Sequence, residues 1–152
     1  MGAIAVHEYL DAAGRSPFAR WFERLNAVAA ARVSTADIGY CGSNEDKAMA
    51  LTRDFKQTVL ARTKRDPKFR QALFTEALNA YLTGDTATGK AMLRDLINAT
   101  IGFERLAHEV KKPSKSLHRM LGPGGNPNTE NFFGIVSALQ RKTKVRLSVT
   151  AH

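Results

Sequence analysis

The segment from Phe103 to Leu121 constrains the fold most, because it reads as two short helices separated by a tight turn. Four apolar residues recur at helical spacing in its first half and predict a helix with one apolar face: Phe103, Leu106, Ala107 and Val110. The periodicity breaks at Lys111 and Lys112. Pro113 then fits the first turn of a second helix, where its missing N–H is tolerated. The segment therefore predicts a helix pair.

The second helix, predicted over residues 113–121, has a polar and basic outer face. Leu117 and either Met120 or Leu121 face inward. Five polar side chains remain on the outside: Ser114, Lys115, Ser116, His118 and Arg119. In a helix-turn-helix motif, the second helix enters the DNA major groove with short polar donors and cations on its exposed face, and the first helix braces it from behind. The alternative interpretation is an ordinary solvated face.

Particular contacts follow from the residue types in and before this helix. Lys115, Ser116 and Arg119 are the candidates for base edges, because serine suits any base and Lys and Arg prefer guanine. Lys111 and Lys112, at the turn, are expected to contact the phosphate backbone and set the register.

Two further groups of residues complete the candidate site. Asn128 and Asn131, with Thr129, open the next predicted helix, whose N-terminus can receive a phosphate. Plain helix capping explains these residues equally well. His118 is expected to face DNA or solvent and not to act as a catalytic base, since no motif places a Ser, Cys or carboxylate beside it.

Composition and charge favour a globular protein with a polyanionic partner. The chain has 152 residues, a hydrophobic content of 43% and a formal charge of +9, which favours a polyanionic partner. The net charge of residues 1–48 is close to zero. After Val110 the sequence contains eight basic residues and a single acidic one, Glu130. Cys41 is the only cysteine, and no apolar run approaches a bilayer span, so we predict a cytoplasmic protein without metal, cofactor or membrane partner.

Residues 1–48 are predicted to form a small strand-helix appendage and a linker. Residues 4–10 alternate like a strand, and Ser16 with Pro17 predicts the start of one amphipathic helix that ends near Val33. Residues 34–48 lose all periodicity and predict a linker. The aromatic face of the helix must dock on the rest of the chain, dimerise or remain exposed.

Residues 49–152 are predicted to form a mainly helical domain. Helices are expected from Thr52 as N-cap to about Lys64, from Asp66-Pro67 to about Leu82, over residues 86–100 and over residues 130–141. Residues 145–149, VRLSV, alternate and predict a short strand. Such a strand must pair with the N-terminal strand, pair with another chain or fail to form. The predicted fold class is mainly α, with a short C-terminal strand.

The segment from Met49 onward resembles the HigA-like antitoxins, helix-turn-helix regulators of bacterial toxin–antitoxin operons. Four stretches carry the resemblance: ALTRDFKQTVLARTKRDPKFRQALFTEAL, LTGDTATGKAMLRDLINATIGFERLA, KSLHRMLGPGGNPNTENFF and VRLSV. One departure is that the family's turn usually has Gly and Thr where this chain has Lys111 and Lys112. Loss of the Gly is expected to strain the turn, and loss of the Thr removes a good N-cap.

The resemblance implies a function for this domain. It implies a homodimer that binds a palindromic DNA operator and represses its own operon. If a toxin partner exists, the domain would also bind and neutralise that RelE/HigB-like toxin. It implies no enzymatic activity.

The segment from Ile4 to Val33 resembles the beginning of a RelE/HigB-type toxin, and the resemblance ends at Val33. The residues that carry it are VHEYLDAAGRSPFARWFERLNAVAAARV. The chain therefore looks like a truncated toxin (1–33) fused through a linker (34–48) to its antitoxin (49–152). An antitoxin with a start site placed too early, and Met49 as the true start, is the alternative. Two other functions stay open: an interaction module whose toxin-like part covers the toxin-binding surface, and a residual RNA-targeting toxin.

Overall fold

The computed structural model describes residues 7–38 and 52–148, and these residues are mainly helical, as predicted. Their elements in chain order are β1 (His7–Tyr9), α1 (Pro17–Arg24), α2 (Ala27–Ile38), β2 (Thr52–Asp54), α3 (Phe55–Arg65), α4 (Pro67–Leu82), α5 (Thr86–Ala99), α6 (Phe103–Val110), α7 (Ser114–Met120) and α8 (Thr129–Thr143). In this part of the chain no helix combines the length and the apolar character needed to cross a bilayer.

Two helix starts follow from local side-chain capping. The Ser16 hydroxyl accepts the Ala19 N–H at 2.9 Å, and Pro17 is the first residue of α1. The Asp66 carboxylate accepts the N–H groups of Lys68 and Phe69 at 3.0 and 3.1 Å, and α4 starts at Pro67. Both starts confirm the sequence predictions, because each cap lies within three residues of the donors that it satisfies.

The single helix predicted up to Val33 is wrong, because the chain forms two helices there. Leu25 leaves the helical conformation with ψ 143°. The Asn26 side chain then accepts the Ala29 N–H at 2.9 Å and starts α2. Asparagine stabilises such a start, and its competing hydrogen bond disfavours a continuous helix. Because α2 extends to Ile38, the linker predicted from residue 34 begins inside a helix; residues 39–51 lie outside the described residues.

The N-terminal strand pairs with an unexpected partner. β1 and β2 are antiparallel, with His7 opposite Asp54 and Tyr9 opposite Thr52. Thr52 was expected to cap a helix, and that expectation is wrong because it lies in β2 and α3 begins at Phe55. Pairing with a strand distant in sequence overrides the local capping signal. Residues 4–6 of the predicted strand lie outside the described residues.

The C-terminal strand predicted over residues 145–149 is not formed by residues 145–148, and residue 149 lies outside the described residues. Val145 is buried and Leu147 packs against the core, whereas Arg146 and Ser148 are exposed. The alternation therefore reflects burial on one side of an irregular segment. Alternation alone does not supply the neighbouring strand that a ladder of hydrogen bonds requires.

The N-terminal segment, residues 7–38, docks on the helical domain. The Phe22 ring is fully buried and meets the Phe69 ring edge-on, with centroids 5.8 Å apart. Arg62 of α3 is also buried, and its guanidinium donates to the carbonyl oxygens of Phe22 and Leu25 at the end of α1. The same guanidinium lies over both aromatic rings, 5.2 and 4.9 Å from their centroids. Docking is therefore observed for Phe22, whereas Trp21 on the same helix remains 48% exposed.

Candidate nucleic-acid interface

The helices α6 and α7 pack through the apolar residues that the sequence pattern singled out. Phe103, Leu106 and Ala107 of α6 are buried. Leu117 and Leu121 are fully buried, whereas Met120 is only partly buried. Of the two alternatives for the second inward position of α7, Leu121 is therefore the better buried. This packing fixes which face of α7 remains available to a ligand.

The turn between α6 and α7 places a lysine in the left-handed conformation. Lys111 has φ 53° and ψ 44°, a region that glycine occupies at no steric cost. The Lys112 N–H returns to the Ala107 carbonyl at 3.0 Å, which closes the end of α6. The strain expected from a non-glycine residue at this turn therefore has a definite location at Lys111.

Pro113 lies immediately before α7, one position earlier relative to the helix start than the sequence predicted. It precedes α7 as the N-cap residue, with extended backbone at φ −60° and ψ 136°. Its carbonyl accepts the N–H groups of Ser116 and Leu117 at 2.9 and 3.2 Å. Pro113 does not cap the start of α7 with its side chain, because the proline ring carries no hydrogen-bond acceptor.

The predicted base-contacting residues lie on the accessible side of α7. Lys115 and Arg119 are exposed, and Ser114 and Ser116 are half-buried. His118 is exposed, but its ring also stacks on the Phe103 ring with centroids 3.7 Å apart and an interplanar angle of 22°. This contact connects the middle of α7 to the first residue of α6.

Lys111 and Lys112 are exposed at the turn that precedes α7. They lie next to α7 in the chain, where phosphate contacts would position this helix on a duplex. Together with Lys115 and Arg119 they form a basic surface, which we call the α7 surface. His118 adds an aromatic ring to it.

The residues predicted at the start of α8 act as a helix cap. The Asn128 side-chain oxygen accepts the Asn131 N–H at 2.8 Å. Asn128 is exposed and Asn131 is half-buried. Glu130 adds an acidic group to the first turn, where it opposes the approach of a phosphate. The capping alternative thus has a specific hydrogen bond, and phosphate binding at this terminus stays a prediction.

Lys90 of α5 holds the loop that follows α7, a role that the sequence pattern does not reveal. Lys90 is buried, and its ammonium group donates to the carbonyl oxygens of Pro123 and Gly125 at 3.2 and 2.6 Å. A Cβ at Gly125 would overlap the carbonyl oxygens of Arg119 and Met120, so the loop lies directly against the end of α7. The only signal in the sequence would have been a lysine on the buried side of a helix.

Glu109 joins α6 to α8. Its carboxylate lies 3.3 Å from the Arg141 guanidinium and 3.5 Å from the Lys142 ammonium group. The charge of Lys142, together with hydrogen bonds from both cations, holds the pKa of Glu109 below its ordinary value. The pairs are exposed, so they contribute to the relative position of the helices more than to stability.

Comparison of the chain with protein-family models, curated proteins and solved structures finds no match. The interpretation of the α7 surface therefore rests on its residues and their geometry.

Proposed function

We propose that this protein binds double-stranded DNA sequence-specifically and uses α7 as its recognition helix. The observation that carries the proposal is the orientation of α7. Its apolar residues Leu117 and Leu121 are buried, while Lys115 and Arg119 are exposed on a helix braced by α6. Two helices joined by a short turn, with cations on the outer side of the second, suit the width of the major groove.

The residues of the α7 surface, together with Ser116 of the same helix, would divide the contacts with DNA. Arg119 and Lys115 would donate to guanine edges, and Ser116 would donate to or accept from a neighbouring base. Lys111 and Lys112 would contact phosphates and position the helix without reading sequence. His118, fixed against Phe103, would add a ring edge beside these groups.

The resemblance to HigA-like antitoxins extends this proposal to a biological role. The protein would act as a homodimer on a palindromic operator, with recognition helices about one turn of the duplex apart. It would repress its own operon and, if a RelE/HigB-like toxin partner exists, bind and neutralise it. The positive formal charge of the chain supports association with DNA of any sequence.

Selection of bound sequences from a random duplex library tests the proposal. The wild-type protein should enrich one motif with two-fold symmetry, and its affinity should fall as the salt concentration rises. Lys115→Ala and Arg119→Ala should each weaken binding to that motif. Lys68→Ala and Arg20→Ala change exposed cations on other helices and serve as matched controls. Failure to enrich any motif, or equal effects of the four substitutions, would contradict the proposal.

The docked N-terminal segment favours a second candidate function, an interaction module that occludes a toxin-binding surface. Phe22 and the end of α1 occupy a surface of α3 and α4 that includes the buried Arg62. A toxin that binds there would compete with residues 7–38. Pull-down of a RelE/HigB-like toxin should then be stronger with residues 49–152 than with residues 1–152. Equal capture by the two chains would exclude occlusion.

A further inference from the structure

A cleft of about 750 Å³ lies apart from the α7 surface and collects positive charge. Its walls come from the ends of α3, α5 and α8, the start of α4, the connection between α5 and α6, and the outer side of α6. No residue of α7 lines it. In the part of the chain that the structure describes, five cationic residues line the cleft, together with His108: Lys64, Arg70, Arg105, Lys142 and Lys144. These residues are scattered in the sequence, so only the fold brings them together.

Negative charge in the cleft does not balance these cations. Among residues 7–38 and 52–148, Glu109 is the only carboxylate that lines the cleft, and its two oxygens already face Arg141 and Lys142. Within residues 7–38 and 52–148, Lys64 and Arg105 form no ion pair. Like charges gathered in one concave site repel each other and raise its potential, so an anion gains free energy on entering.

Arg70 is already held in place at the edge of the cleft. Its Nη1 donates to the carbonyl oxygens of Thr63 and Lys64 at 3.0 and 2.9 Å, and its side chain is half-buried. A guanidinium fixed by two backbone carbonyls loses little further conformational freedom on binding a ligand. Planar guanidinium groups match the oxygens of phosphate in a bidentate arrangement, and lysines add point charges.

We propose that this cleft is a binding site for a phosphate group. Arg70 and Arg105 would contact the phosphate oxygens, and Lys64, Lys142 and Lys144 would supply the surrounding positive potential. The apolar side chain of Ile101 and the hydroxyl-bearing Thr100 and Thr143 complete the lining. The phosphate would belong either to a nucleic-acid backbone or to a small phosphorylated compound. The site is separate from α7, so it does not depend on the proposed reading of DNA sequence.

Titration with inorganic pyrophosphate at low ionic strength tests the site. Binding is followed through the arginine side-chain NMR signals of the full chain and by calorimetry. Saturable binding is expected, with shifts at Arg70 and Arg105. The double substitution Lys64→Gln and Arg105→Gln should weaken it by at least about tenfold, since each charged hydrogen bond contributes on that scale. Lys68→Gln with Arg20→Gln removes two exposed cations outside the cleft and outside the α7 surface, and it should leave pyrophosphate binding unchanged.

Two results would overturn the proposal. One is a linear, non-saturating response to pyrophosphate, and the other is equal weakening by the cleft and control substitutions. Competition with a duplex oligonucleotide then identifies the source of the phosphate. Displacement of bound pyrophosphate assigns the cleft to nucleic-acid phosphates, whereas simultaneous binding of both assigns it to a small phosphorylated compound. Circular dichroism of each variant checks that it is folded.

Discussion

Lys111 shows how one residue connects backbone strain with a proposed contact. Its left-handed conformation lies at the turn where a glycine would adopt the same geometry without strain. Its ammonium group is exposed beside α7, where it is expected to meet a phosphate. At this position glycine would therefore favour the stability of the turn, whereas lysine supplies positive charge for a phosphate contact.

Replacement of Lys111 by glycine separates the two effects. Lys111→Gly should raise the free energy of unfolding by about 1 kcal/mol, because the left-handed conformation no longer involves a Cβ. The same change should weaken DNA binding and reduce the slope of its salt dependence by about one ion. Urea denaturation and binding at several salt concentrations measure the two quantities. Lys112→Gly is the matched control, since Lys112 does not have a positive φ, and a gain in its stability would contradict the argument.

The Asp66 carboxylate stabilises the folded protein at neutral pH, and this stabilisation is expected to be lost at acidic pH. Burial raises the pKa of its carboxyl group, but hydrogen bonds from the Phe69 and Lys68 N–H groups and the charge of Arg62 together hold it below the ordinary value. The folded-state pKa is thus lower than the unfolded value of about 3.9. The stabilisation is therefore present above that value and is lost as pH falls through the folded-state pKa.

Asp66→Asn should keep the N-cap acceptor but remove this titration. The free energy of unfolding of the variant, measured by urea denaturation between neutral pH and pH 3, should fall less steeply than that of the wild type. Parallel pH profiles of the two proteins would contradict the assignment.

At the scale of elements, the docking of α1 depends on Arg62 of α3. The buried guanidinium satisfies two carbonyl oxygens at the end of α1, those of Phe22 and Leu25. Arg62→Met should lower the free energy of unfolding by about 2–5 kcal/mol, because both carbonyls lose a charged donor in a buried place. Denaturation by urea measures the change.

Arg65 provides the matched control on the same helix. Its side chain is exposed and pairs with Glu23 of α1. Arg65→Met should change the free energy of unfolding by no more than about 1 kcal/mol, since solvent screens exposed pairs. Equal losses for Arg62→Met and Arg65→Met would show that burial does not govern this interface.

Elements were predictable from the sequence where their signals are local. The caps at Ser16 and Asp66 each act on donors within three residues, and both helix starts were found correctly. The break at Asn26 was also local, but the apolar periodicity that continues past it concealed it. Thr52 was misassigned because its conformation depends on pairing with β1, more than forty residues away along the chain.

The candidate nucleic-acid interface was also predictable from the sequence only where its features depend on local pattern. The exposure of Lys115 and Arg119 follows from the helical pattern around the buried Leu117. The stacking of His118 on Phe103 and the hold of Lys90 on the loop after α7 require the packing of separate helices. The basic cleft could not be predicted, because its cations come from four helices and the segment after α8.

For the molecule as a whole, sequence-specific DNA binding requires that α7 reads base sequence. The most direct measurement is the base preference of wild-type and Arg119→Ala protein at every position of the selected DNA motif. If α7 reads base sequence, Arg119→Ala should lose about 1–3 kcal/mol of discrimination at one base pair in each half-site and keep its preferences elsewhere. Unchanged preferences at every position, or a uniform loss of affinity without any change in preference, would contradict the role of α7 as a recognition helix.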